Sequence, residues 1–255
     1  IGVNVSSVWK VSFAVADHID LTPNSGLVVA GESFQVIVTV YDAYDNVAVN
    51  YTGTVNFTST DPYPASLPAN YTFTTGIGGD NGVHTFTITL YTVGNQGLTV
   101  VDNVTSTLTD TSTFTVSNAA PFSLNMTPMG GYTAKGGVIS LTVTAYDAFG
   151  NVAVNYTGTV SFASSDLLAV LPSDYTFDEA VDMGVHVFTA VLYTDGVQWI
   201  NVSDLFNVTL FDNHTWSVLI PDFLELYSPT SPQTVTADVH EISVQVIAWN
   251  MTVGV

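Results

Sequence analysis

A 22-residue stretch of this chain occurs twice: positions 41–62 read YDAYDNVAVNYTGTVNFTSTDP and positions 146–167 read YDAFGNVAVNYTGTVSFASSDL, with 16 of 22 aligned residues identical. A chain that spells one pattern twice must build one unit twice, so the repeat sets the architecture before any propensity is considered. The match runs on through IDLTP and LNMTP, YTF and YTF, GVHTF and GVHVF, and LYTVG and LYTDG. Its offset shrinks from 105 to 102 residues, as expected if loops shorten while strands are kept. Two tandem domains follow, 17–117 and 121–220, joined by the short SNAAP segment, and 255 residues suit that count.

Within each copy the hydrophobic period is two. Phe34, Val36, Val38 and Val40 alternate with Gln35, Ile37 and Thr39, and Leu141, Val143 and Ala145 alternate with Thr142, Thr144 and Tyr146. About seven short Val/Thr/Tyr/Phe-rich runs per copy, separated by Asn, Asp, Gly and Pro, predict an all-β fold of two β-sandwiches in series. In the repeated motif, Asp45-Asn46 and Gly150-Asn151 are turn-prone pairs, Gly53 and Gly158 open the next strand, and Tyr51 and Tyr156 are expected over the edge of the core.

The stretches VYDAYDNVAVNYTGTVNFTS and AYDAFGNVAVNYTGTVSFAS resemble the strand-turn-strand signature of bacterial and archaeal immunoglobulin-like surface repeats, including the invasin/intimin type. The resemblance covers about 200 residues of the two copies. It implies two tandem immunoglobulin-like β-sandwiches, an extracellular cell-surface setting and a structural role, and it supplies no catalytic residue.

Composition narrows the partners. Lys10 and Lys135 are the only basic residues against 22 Asp and Glu, a formal net charge of −20, so phosphate backbones and anionic membranes are repelled. Hydrophobic residues at 47% exclude a disordered acidic tail. There is no cysteine, so no disulfide framework, and no apolar run approaches the length of a membrane span. A chain starting at Ile1 is consistent with processing or with a fragment. Solvated acidic turns are the expected state of most Asp residues.

Eleven N-x-S/T sequons occur, at Asn4, Asn50, Asn56, Asn70, Asn103, Asn125, Asn155, Asn201, Asn207, Asn213 and Asn250. Asn50 and Asn155 fall at the same point of the repeat. N-linked glycans are therefore the expected modification, and no other cofactor is called for. For a metal, Asp42 and Asp45 are the calcium candidates, weakened by Gly150 standing where Asp45 does in the other copy. His84 and His186 are matched but lie in different domains, and His18, His214 and His240 have no short ligand spacing with them, so a zinc site is not expected. Nothing singles out a nucleophile or a pair of catalytic carboxylates, so the chain is not read as an enzyme.

Two segments exceed the repeats. Residues 1–16 place Val3, Val5, Trp9, Val11, Phe13 and Val15 on one strand face, and residues 221–255 read as a C-terminal β extension with a bend near His240-Glu241. One use of the first is insertion into an open groove of a neighbouring copy, a donor strand that would link subunits head to tail into a glycosylated extracellular filament of pilus or thread type, in which archaeal strand-exchanged pili are the nearest resemblance. The alternative is a non-polymerising adhesion or surface-layer module of a larger cell-surface protein. For either end there is also an intramolecular reading, a strand added to its own sheet or part of an incomplete third domain. The partners on the first reading are copies of the chain itself, and other cell-surface components are the further candidates.

Overall fold

The computed structural model describes residues 14–220, and within them the two copies form two β-sandwiches. In the first, one sheet holds β1 (Ala16–Thr22), β3 (Ser33–Asp42) and β6 (Val83–Thr89) in the order β1-β3-β6. The facing sheet runs β2 (Ser25–Val29), β8 (Thr109–Ser117), β7 (Gly94–Asp102), β4 (Thr54–Ser59) and β5 (Tyr71–Thr72). The second sandwich repeats this with β9 (Ser123–Thr127), β11 (Val138–Tyr146) and β14 (Val185–Val191) in one sheet. Its other sheet runs β10 (Gly131–Ala134), β16 (Phe211–Leu219), β15 (Gly196–Asp204), β12 (Thr159–Ser164) and β13 (Tyr175–Thr176).

Pairing is antiparallel except where β2 meets β8 and β10 meets β16. There the first edge of each domain switches sheets and lies parallel to the last strand, closing the sandwich in the immunoglobulin manner. The switch falls at cis Thr22–Pro23 and cis Thr127–Pro128.

The period-two reading of β3 and β11 holds in space. Val36, Val38 and Val40 are fully buried while Gln35 and Ile37 face out, and Leu141, Val143 and Ala145 are fully buried in the second copy. Inner faces of the two sheets supply separate cores, one around Phe73, Leu98 and Phe114 and one around Phe177, Ile200 and Trp216. Tyr51 and Tyr156, expected at the core edge, are buried inside it. Each is packed edge-on to a phenylalanine, Tyr51 on Phe73 and Tyr156 on Phe177.

Each sandwich carries its own last strand inside a sheet, β8 between β2 and β7 and β16 between β10 and β15. Of the donor-strand residues, Val3, Val5, Trp9, Val11 and Phe13 lie outside the described residues, as do residues 221–255. Val15 is described, and it is 85% exposed just ahead of β1.

Because the cores are separate, truncating one should leave the other intact. Trp216→Ala is expected to cost about 3–5 kcal/mol and to lower only the unfolding transition of the second sandwich, read by denaturant titration with tryptophan fluorescence and circular dichroism.

Candidate functional site

The repeated motif builds a loop around one carboxylate. Asp42 ends β3 and points back under its own loop, where Oδ1 accepts the amides of Tyr44 at 2.9 Å and Asn46 at 3.0 Å. Asp147 does the same for Phe149 and Asn151, at 2.9 Å each. The remaining oxygen takes the incoming chain: Asp147 Oδ2 accepts the amide of Ala119 at 3.0 Å and Asp42 Oδ2 that of Ala14 at 3.4 Å. The loop turns at Asp45 and Gly150, both in the left-handed region, with φ of 59° and 83°. Burial alone would raise the Asp42 pKa, but the donated N–H groups of Asn46, Tyr44 and Ala14 outweigh it and hold the carboxyl below its usual range.

Of the two calcium candidates, Asp42 has both oxygens on N–H donors, and the Asp45 side chain is 88% exposed.

Four further matched pairs of Asp serve the same purpose. Asp61 and Asp166 each accept two amides from a distant strand end, Tyr91 and Thr92 in one case and Tyr193 and Thr194 in the other. Asp102 and Asp204 accept the phenol hydroxyls of Tyr51 and Tyr156, the latter at 2.6 Å, together with two loop amides each. Gly53 and Gly158 are glycine because a Cβ there would overlap that phenol and carboxylate. Burial first, then the bond to the carboxylate and its charge, pushes both phenol pKa values far above their usual range.

Asp80 binds the Tyr71 phenol, the Thr74 amide and His84 Nδ1, the last at 2.6 Å, while His84 stacks on Tyr71 with centroids 3.9 Å apart. Asp182, Tyr175 and His186 repeat this corner, with a histidine bond of 2.7 Å and the same 3.9 Å stack. The matched histidines are thus held by carboxylates of their own loops. Asp110 and Asp212 tie sheet to sheet by accepting the amides of Leu21 and Met126. Contrary to the expectation of solvated acidic turns, Asp42, Asp61, Asp102, Asp147, Asp166, Asp182 and Asp204 are buried.

The loop of the second copy also makes the joint between sandwiches. Phe149 packs on Tyr91 at 4.9 Å and on Tyr63 at 6.1 Å between centroids, and it lies so close over Gly31 that a Cβ there would overlap its ring. Beside it, the Asn151 amide group donates to the carbonyl of Tyr91 at 2.8 Å and its oxygen accepts the amide of Val93 at 3.0 Å. Across the linker, Asn118 donates to Asn155 Oδ1 at 2.7 Å.

Of the sequon asparagines, Asn50, Asn70, Asn103, Asn155, Asn207 and Asn213 are exposed, and Asn56, Asn125 and Asn201 are half-buried. The Asn56 side-chain oxygen is buried without a hydrogen-bond partner. Asn4 and Asn250 lie outside the described residues.

No family model matches the chain, and no curated protein matches it. Solved structures do. Domains 4 and 5 of the S-layer protein SbsC align at 16% identity and TM-score 0.35 over 81% of this chain and all of that one. The Escherichia coli adhesin FdeC aligns at 19% identity and TM-score 0.41 over 79% of this chain, and the Yersinia pseudotuberculosis adhesin InvE at 19% and 0.34 over 78%. The chain spans 63% and 58% of those two adhesin chains.

Two predictions follow from the carboxylates and the joint. Asp80 and Asp166 are pressed by burial toward higher pKa, yet the hydroxyl, amide and imidazole donors around them win and lower each to about 2. A carboxylate depressed on folding stabilises the native state above the unfolded pKa of about 3.9 and loses that contribution as pH falls through the folded value. Melting temperature should therefore fall steeply between about pH 5 and pH 2, and Asp166→Asn should melt lower at neutral pH with a flatter acid limb. For the joint, Phe149→Ser should raise the rate of protease cleavage in residues 118–122 by about tenfold or more while both sandwich melting temperatures change little.

Proposed function

We propose that this chain is a rigid structural module on the outside of a cell: two immunoglobulin-like spacers in series within a surface-layer or adhesin-type protein. The observation that carries the reading is the joint, in which Phe149 and Asn151 fix the second sandwich on the end of the first by ring packing and two hydrogen bonds between the Asn151 side chain and the backbone. A flexible linker would suffice to tether two independent binding domains; a clamped one transmits orientation, which is what a spacer requires.

One feature supports the extracellular setting: six exposed sequons sit on loops and strand faces where N-linked sugar meets no core. No helix among the described residues is long and apolar enough to cross a membrane. The chain has no catalytic role in this reading, and its sugars and exposed polar faces solubilise the spacer.

A donor-strand filament is the weaker account, because each described sandwich already contains the strand such a donor would replace.

The reading is tested on intact source cells. Brief protease shaving should release peptides of this chain without lysis, and mass spectrometry of the native protein should find glycan on several of Asn50, Asn70, Asn103, Asn155, Asn207 and Asn213. Peptides recovered only after lysis, with every sequon unmodified, would contradict it.

A further inference from the structure

The joint has two faces, and each sandwich carries a copy of both. The inserting face is Phe149 and Asn151 on the loop held by Asp147. Its counterpart at the near end of the first sandwich is Tyr44 and Asn46 on the loop held by Asp42, with the same two amide bonds at 2.9 and 3.0 Å. The receiving face is Gly31, Tyr63 and Tyr91. Its counterpart at the far end of the second sandwich is Gly136, Leu168 and Tyr193.

That far face is built by the same bonds. Gly31 donates to the Leu90 carbonyl at 2.9 Å and Gly136 to that of Leu192 at 2.8 Å. The Tyr63 amide reaches Asp61 at 3.1 Å and that of Leu168 reaches Asp166 at 2.9 Å. The Tyr91 and Tyr193 amides reach the other oxygen of the same carboxylates, at 2.6 and 2.5 Å. Among the described residues both outer faces stand open: Tyr44 is 79% exposed, Leu168 66% and Tyr193 38%.

The outer faces differ from the inner joint in two charges. Asp45 stands where the inner loop has Gly150, and Lys135 stands where the inner socket has Ala30. Lys135 lies on the rim of the far face, paired with Asp195 at 3.3 Å, and it is one of two basic residues in a chain of net charge −20. Two such chains repel one another over most of their surface. Asp45, 3.6 Å from His18 Nε2, and Lys135 place opposite charges on the two outer faces.

We propose that the far face of one copy receives the near end of a second copy. Tyr44 then lies over Gly136 between Leu168 and Tyr193, and Asn46 meets the backbone of Tyr193 and Asp195 as Asn151 meets that of Tyr91 and Val93. Asp45 approaches Lys135. The contact is heterologous and does not close on itself, so it sets copies in rows that continue the spacing of the two sandwiches within each chain. It uses no exchanged strand. The inference stands apart from the cell-surface reading, which a strictly monomeric chain would leave untouched.

The native chain has no cysteine, so single-cysteine variants of the full chain report position cleanly. Ala43→Cys and Leu167→Cys, exposed positions beside the contact that leave Tyr44 and Leu168 in place, are mixed in equal amounts and treated with a short bifunctional maleimide. Pro62→Cys with Ala148→Cys in one chain, the matched positions at the inner joint, is the intramolecular control for reach, and Val187→Cys, 57% exposed within β14 and away from both ends, is the control for random collision. The expected result is a 43-to-167 dimer at least tenfold above the Val187 background, lost when Lys135→Glu is added to the Leu167→Cys chain and regained when Asp45→Lys is added to the other. Cross-linking at the Val187 level would overturn the proposal. So would a Leu167→Cys thiol that a monofunctional maleimide cannot label in a dilute monomer, since that face would then be occupied within its own chain.

Discussion

A carboxylate that accepts backbone N–H groups is the interaction on which this structure rests. Ten Asp residues, five matched pairs, hold loops to strand ends or sheet to sheet: 42 and 147, 61 and 166, 80 and 182, 102 and 204, 110 and 212. A loop amide with no strand to pair with must find an acceptor or lose its hydrogen bond on burial. In a chain with two basic residues, ion pairing cannot neutralise these carboxylates, and they are satisfied instead by amides, hydroxyls and imidazole. The large negative charge is thus partly a structural inventory.

The same chemistry produces the joint. Because Asp147 fixes the amides of Phe149 and Asn151, the loop presents an aromatic ring and a carboxamide in fixed orientation. Because Asp61 fixes the amides of Tyr91 and Thr92 and leads into Tyr63, the facing end of the first sandwich offers a shaped cleft. Ring packing supplies burial at the contact, and the Asn151 bonds to Tyr91 and Val93 set its rotation. One carboxylate per face therefore connects loop closure within a domain to the rigidity between domains, and rigidity is the property on which the proposed spacer role depends.

Much of the fold was legible in the sequence. The 105-residue repeat, the period of two in β3 and β11 and the Gly, Asn and Asp punctuation all reflect local rules that tertiary structure did not override. The Asp roles were less legible, because the groups they bind are backbone amides 27 to 31 residues away for Asp61 and Asp166, and an amide leaves no mark in a sequence. Matching of the copies held usable signals. Asp61 and Asp166 stand at one repeat position, Asp80 and Asp182 each precede a matched histidine by four, and Asp102 and Asp204 end the matched strands β7 and β15. Tyr51 and Tyr156 lie deeper than the core edge because their hydroxyls are met by the buried carboxylates of Asp102 and Asp204, partners 51 and 48 residues away.

The central claim, that two sandwiches form one rigid spacer, is most directly tested by pulsed electron–electron distance measurement between spin labels on Val104→Cys and Val208→Cys of the full chain. These positions are exposed, one on each sandwich, in a chain with no competing thiol. The account predicts a single narrow distance distribution that keeps its width from low to high salt. A broad distribution, of the kind two domains swinging on a free tether produce, would contradict it.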